Sequence, residues 1–164
     1  MKLSEHLALP SEAALSHLSE LNGLRLSPHF SLGELTKTNY VTKDGNFPSR
    51  VAIENLTNIC ENWLEALRQA QGPLIINSGY RSPEVNKLAG GAPTSNHLTG
   101  CAVDIHVSGF EQAVRYASIL LDISEGTQRD YDELFIEKNK TGSHWIHFAV
   151  KPKDNRRKSG FIKV

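Results

Sequence analysis

Two histidines and an aspartate carry the residue types and spacing in this chain that are able to do chemistry. His97 and Asp104 are seven positions apart in Ser95-Asn96-His97-Leu98-Thr99-Gly100-Cys101-Ala102-Val103-Asp104, and His144-Trp145-Ile146-His147 follows about forty residues later. Two imidazoles and one carboxylate form a ligand set that zinc accepts in open sites, where three protein ligands leave a fourth position for water. The ion lowers the pKa of that water to roughly 7 and polarises a scissile carbonyl. The pattern therefore points to metal-assisted hydrolysis. Its context agrees: His97 follows the small, polar run Gly90-Gly91-Ala92-Pro93-Thr94-Ser95-Asn96, where a loop is expected. Asp104 lies inside the β-branched segment 101–107, where a buried, unpaired carboxylate is costly and a metal removes that cost.

The elements that must position these residues can be read from periodicity. In a strand over 101–107, Ala102, Asp104 and His106 share one face and Cys101, Val103 and Ile105 the other. His106 lies about 6.6 Å beyond Asp104, which makes it a supporting or surface residue more readily than a ligand. Residues 131–137 and 144–150 pair as an antiparallel hairpin across Asn139-Lys140-Thr141-Gly142. Trp145 and His147 then share a face, which makes His147 the third ligand; His144 needs a bulge at the start of its strand to approach the same ion.

Further upstream, Ile53, Leu56, Ile59, Cys60, Trp63, Leu64 and Leu67 form one apolar stripe of a helix over 50–71, closed by Gly72-Pro73. Leu74-Ile75-Ile76-Asn77 reads as a buried strand delivering Ser78 to Arg81, and Pro83 opens a helix to about Ala89. Ser31-Leu32-Gly33-Glu34 has capping-box spacing, with a short helix expected to about Thr38. Residues 11–22 have helical character, ending at Asn22-Gly23. Residues 110–121 give an amphipathic helix with Phe110, Ala113, Val114, Ala117, Leu120 and Leu121 inward, and 122–130 a surface loop.

Ser-x-His-x-x-Gly-x-Ala-x-Asp together with Trp-x-His is similar to the signature of the M15 zinc peptidases, and Ile76-Asn77-Ser78-Gly79-Tyr80-Arg81-Ser82 resembles that family's Ser-Gly-Tyr-Arg-Ser segment. The likeness covers roughly residues 29–150. It implies an α+β fold with an antiparallel sheet and surrounding helices, of the hedgehog and D-Ala-D-Ala-peptidase type. Zn2+ is the implied cofactor, on His97, Asp104 and His147. The implied activity is hydrolysis of a peptide bond in peptidoglycan stem peptides, as a D-Ala-D-Ala carboxypeptidase or an endopeptidase of the L-Ala-D-Glu type found in phage endolysins. By the same resemblance Arg81 stabilises the oxyanion or holds a substrate carboxylate, and Ser95 contacts substrate or orients the His97 loop. Many members carry Glu or Asp three residues before the last ligand, where this chain has His144. The general base is then His144 itself or Glu137, which the hairpin is expected to set beside His144.

Composition sets the remaining bounds. A length of 164 residues with 39% hydrophobic content suits an N-terminal helical extension, 1–28, and one peptidase-like domain, 29–164. Formal net charge is zero, and the basic cluster Arg156-Arg157-Lys158 sits among polar residues, so it reads as solvated surface rather than a nucleic-acid footprint. No apolar run approaches the ~20 residues of a bilayer span, and no classical signal opens the chain. The expectation is a monomer, with no nucleic-acid partner and no membrane insertion, phage-associated or cytoplasmic until released to the wall. Cys60 and Cys101 lack metal-ligand spacing and read as small buried hydrophobes. Two rival readings stand beside the peptidase: a non-catalytic zinc-containing binding module of the same fold, and a structural zinc protein closed by His144 or His106 as fourth ligand.

Overall fold

Ser49 and Ser31 show how local sequence sets the framework. In the computed structural model, which describes residues 20–164, Ser31 and Glu34 form the expected capping box at the head of α1 (Leu32–Thr36). Ser49 Oγ accepts from Ala52 N and starts α2 (Arg50–Ile59). That helix continues through a π-helical turn, Cys60–Leu64, into α3 (Glu65–Gln71). The widened turn was not legible in the 3.6 period. It carries Cys60, Trp63 and Leu64, all buried, and sets Trp63 edge-on to Phe148 with ring centroids 5.0 Å apart. The expected helix over 11–22 lies almost wholly outside the described residues.

Before α1, β1 (Arg25–Ser27) and β2 (Phe30–Ser31) form a two-stranded ribbon. A second sheet holds β3 (Ile76–Ser78), β4 (Ala102–His106), β5 (Glu133–Lys138), β6 (His144–Ala149) and β7 (Lys158–Lys163) in the order β3-β4-β6-β5-β7. The first three pairings are antiparallel and β5 with β7 is parallel. β7 was not foreseen: its face is largely exposed, so it shows no core periodicity, and its parallel partner lies across a crossover. The α+β architecture is as expected, with this one parallel edge added.

Alternation divides the sheet. Val103, Ile105, Leu134, Ile136, Ile146 and Phe148 face the helices and join the core with Leu56, Ile59, Trp63 and Leu67. The opposite face carries the chemistry. Across it runs one row of paired residues, Ser78, Asp104, His147, Phe135 and Gly160, one from each of the five strands.

The helix α5 (Phe110–Thr127) corrects two expectations. It runs on through most of the segment read as a loop over 122–130. Its buried side is Ala113, Tyr116, Leu120 and Ser124, whereas Phe110, Val114 and Leu121 are exposed. Ser124 tolerates burial because its hydroxyl donates to Arg129 O at 2.6 Å. Both cysteines are free and buried.

Candidate metal centre

Ser78 and Asn46 prepare the strand end that supports the site. Asn46, from the irregular segment before α2, donates Nδ2 to Thr36 O (2.7 Å) and Tyr80 O (3.0 Å), and its Oδ1 accepts from Ser82 N (2.7 Å). Three bonds from one amide thus clamp the segment carrying Arg81. Gly79 permits close passage of that segment over α1, since a Cβ there would overlap the Leu35 carbonyl. Ser82 then caps α4 (Pro83–Leu88).

His97 sits in a 3-10 turn, Asn96–Thr99, whose cap is Ser95: Oγ accepts from His97 N at 3.3 Å. Its ring is 2% exposed, and Nδ1–H donates to Gly79 O at 2.6 Å, which leaves Nε2 facing Asp104 Oδ1 at 3.2 Å. The turn closes at Gly100, whose φ of +71° belongs to the left-handed region and whose Cα faces the Ala52 carbonyl too closely for a side chain. From β6, His147 places Nδ1 2.9 Å from the same Asp104 oxygen. Asp104 Oδ2 accepts from Arg81 Nη2 at 2.6 Å.

The three candidate ligands are therefore gathered, all buried, with ligand atoms within 4.8 Å of one another. Zinc bonds of about 2.0–2.1 Å at tetrahedral angles place neighbouring ligand atoms about 3.3 Å apart. The 3.2 and 2.9 Å separations from Asp104 Oδ1 are close to that spacing. Each ring also has its outer nitrogen fixed by an acceptor, Gly79 O for His97 and Glu133 Oε2, at 3.1 Å, for His147. Outer-nitrogen acceptors of this kind fix the tautomer that metal ligation needs. Donor set and spacing fit a divalent ion of the zinc type.

Electrostatics bear on the same atoms. Burial opposes the charged form of Asp104, but the charge of His97 and hydrogen bonds from His147 and His97 outweigh it and hold the carboxyl well below its ordinary range. Burial likewise pulls His147 down, and is overcome by Asp104 and Glu133, which lift it from 6.5 to about 9. In the metal-free protein this ionisation stabilises the fold fully below pH 6.5 and the benefit is lost as pH rises through about 9. Metal binding runs the other way, since Nδ1 must lose its proton to ligate. Zinc uptake at pH 7 is expected to release about one proton per chain from this ring, and apparent affinity to rise about tenfold per pH unit up to about 9. Calorimetry in buffers of different ionisation enthalpy measures that proton; no release at pH 7 contradicts it.

The cleft over the sheet, of about 480 Å³, is lined by these ligands together with Arg81, Ser95, Asn96, Glu133, Glu137, Trp145 and Arg156. Arg81 stands on its wall, with Nη2 on Asp104 and Nε donating to Ser78 Oγ at 2.8 Å. Glu137 pairs with Trp145, not with His144 as anticipated, and so shares the cleft face with His147. Burial raises its carboxyl above the usual range, against the pull of the His147 charge. His144 pairs with Lys138 and faces the helices, its ring 5.7 Å from that of Phe110. The expectation of His144 as a base is corrected by this register, which points it away from the cleft. Neither His144 nor His106 joins the ligand cluster, so among the described residues no fourth histidine closes the shell.

Sequence reasoning missed Glu133 and Arg156. Glu133 was detectable, since it alternates in phase with Glu137 on β5. Arg156 was not, because its cluster looks like solvated surface; instead it binds buried Asp132 through Nε at 2.8 Å and Glu133 through Nη2 at 2.6 Å. Its neighbour Arg157 is also engaged, with Glu125 and Asp130.

Comparison with known proteins agrees with the site. The zinc D-Ala-D-Ala carboxypeptidase of Streptomyces albus G is 34% identical over 80 residues, 47% of this chain and 31% of that protein. The alignment thus spans about a third of the relative's length. A family model described as Peptidase M15 matches residues 28–133, some two thirds of the chain and including His97 and Asp104. With the signature residues assembled in one cleft, the chain belongs to the M15 peptidase family.

Proposed function

We propose that the protein is a zinc-dependent peptidase acting on the stem peptides of peptidoglycan, and that it cuts a bond inside the peptide rather than releasing a terminal residue. The observation that carries the reading is the convergence of His97, Asp104 and His147, with Glu137 on the same sheet face, in an open cleft. The Streptomyces relative supports the substrate class. Bound by the three ligands, zinc supplies Lewis acidity toward water and the scissile carbonyl.

The chain's own groups do the rest. Glu137, with its carboxyl raised by burial, takes a proton from the attacking water on a carboxylate oxygen and delivers it to the leaving amine. Arg81 places fixed positive charge on the cleft wall where the oxyanion develops. Ser95 holds the backbone of His97 and lines the path of the substrate. Glu137 also provides the carboxylate whose absence before His147 motivates the binding-module alternative.

An internal cut is favoured by the shape of the cleft. A second cavity, of about 430 Å³, adjoins the first and shares Arg81, Ala89, Asp104 and Trp145 with it, so the space open to peptide continues past Asp104 toward Tyr40 and Ser78. A carboxypeptidase needs a fixed cation for the terminal carboxylate. Of the two arginines lining these cavities, Arg156 is committed to Asp132 and Glu133 and Arg81, braced on Asp104, is assigned to the oxyanion, while Lys37, on the rim of the second, is an exposed charge. On this reading the protein acts at the cell wall and is phage- or prophage-associated, or cytoplasmic, until released to it.

Mass spectrometry of defined muropeptides incubated with zinc-loaded protein tests the reading. Fragments from an internal cut, absent with His97→Ala, are expected. Release of terminal D-alanine alone overturns the internal cut and keeps the peptidase; no product from any muropeptide leaves the binding module.

A further inference from the structure

We propose that Glu133 and Arg156 are positioning residues for the metal ligand His147, so that the crossover leading into β7 helps set metal affinity. The inference rests on the reading of His97, Asp104 and His147 as a metal centre. Neither Arg156 nor His147 lies within the residues matched by the family model.

His147 has two ring nitrogens and must present Nδ1 to Asp104 and the metal. Glu133 Oε2, 3.1 Å from Nε2, holds the other nitrogen. A glutamate on an edge of a cleft is a mobile group, yet this one is held from both sides. Its Oε1 accepts from Arg156 Nη2 at 2.6 Å, and its Oε2 from Asn96 Nδ2 at 3.2 Å. Arg156 is in turn fixed by Asp132, which is fully buried and also accepts from Asn96 Nδ2, at 2.9 Å, and from Lys151 Nζ, at 3.1 Å. Asp132 ties β5 to the crossover, and Asn96 begins the turn that carries His97. One polar network therefore reaches the backbone of one histidine ligand and the side chain of the other. An arginine whose only task was to pin the crossover would be satisfied by Asp132 alone. The additional bond to Glu133 is the one that leads to the metal ligand.

Groups holding the outer nitrogen of a ligating histidine typically contribute about 10–100-fold to metal affinity. The test is the zinc dissociation constant of metal-stripped protein, read by competition with a chromophoric chelator, a measurement independent of hydrolysis. Glu133→Ala is expected to weaken zinc about 10–100-fold and Arg156→Ala about 10-fold. Glu133→Gln, which keeps an acceptor for the Nε2–H, is expected to recover most of the loss. Melting of the metal-free variants separates a merely structural role: if Arg156→Ala and Glu133→Ala lower the melting temperature but bind zinc within twofold of wild type, the proposal is overturned. Should Glu133→Ala fail to fold, Arg156→Ala carries the comparison, with zinc affinity within twofold of wild type as the refuting result. Wild-type protein that takes up no zinc refutes the metal-centre reading itself, a different result from wild type that binds and variants that bind equally well.

Discussion

Asp104→Asn is expected to abolish stoichiometric zinc binding and to lower hydrolysis by at least about 10³-fold. Lewis-acid stabilisation is worth several kcal/mol, and each 1.36 kcal/mol is about a factor of ten in rate. Asp104 is the centre of the cluster: one oxygen lies against both histidine rings and the other accepts from Arg81. Asparagine keeps the shape but loses the charge that draws in a cation and balances Arg81. Leaving that guanidinium, only 16% exposed, without its partner also costs stability, of about 3–5 kcal/mol if the site stays dry. Metal analysis of the purified variant and its melting temperature separate the two effects, and His97→Ala, which leaves the Arg81 pair intact, serves as the second route to the same metal loss. A variant at Asp104 that retains one zinc and wild-type turnover contradicts the assignment.

The second large effect is expected at Glu137. Glu137→Gln preserves size and hydrogen bonding but removes the proton acceptor, so kcat should fall by about 10²–10⁴-fold with zinc content unchanged. Because the rest of the cleft is untouched, KM should move little. The raised carboxyl of Glu137 is also expected to set the acidic limb of the rate profile. Its proton must be off for the base to work, so at saturating zinc kcat/KM falls as pH drops through the Glu137 pKa, a limb that disappears in the glutamine variant. His144→Ala is the control: facing Phe110 on the other side of the sheet, it should leave kcat within a few-fold of wild type. If His144→Ala loses activity and Glu137→Gln keeps it, the roles are reversed.

What the sequence disclosed and what it hid follow physical lines. His97, Asp104 and His147 were legible because two are close in sequence and the third follows from period-2 alternation in a hairpin strand. Glu137 reaches the cleft face only through register: a one-residue difference in pairing places it opposite Trp145 rather than His144. The error on α5 has a similar origin, since Phe110, Val114 and Leu121 are apolar but exposed while Tyr116 and Ser124 are turned inward. Arg156, Asn46 and β7 stayed hidden because their partners are remote in the chain. Asn46 binds carbonyl groups ten and thirty-four residues away, and a charged residue beside a turn gives no local sign that it closes over a buried aspartate.

The row that runs Ser78, Asp104, His147, Phe135, Gly160 has a consequence for how the sheet must be held together. Sliding β6 by two residues against its neighbours would keep every apolar side chain on the helix face, so hydrophobic patterning gives little protection against such a shear. It would nevertheless carry His147 about 6.6 Å along the strand and dismantle the ligand cluster. The safeguard lies at the far end of the hairpin, where Asn139 Oδ1 accepts from Thr141 N at 3.1 Å, Thr141 Oγ1 at 2.8 Å and Ser143 N at 2.9 Å, with Gly142 at φ +92°. A four-residue turn outside the lining of the cleft thereby fixes the phase in which the chemistry is read out.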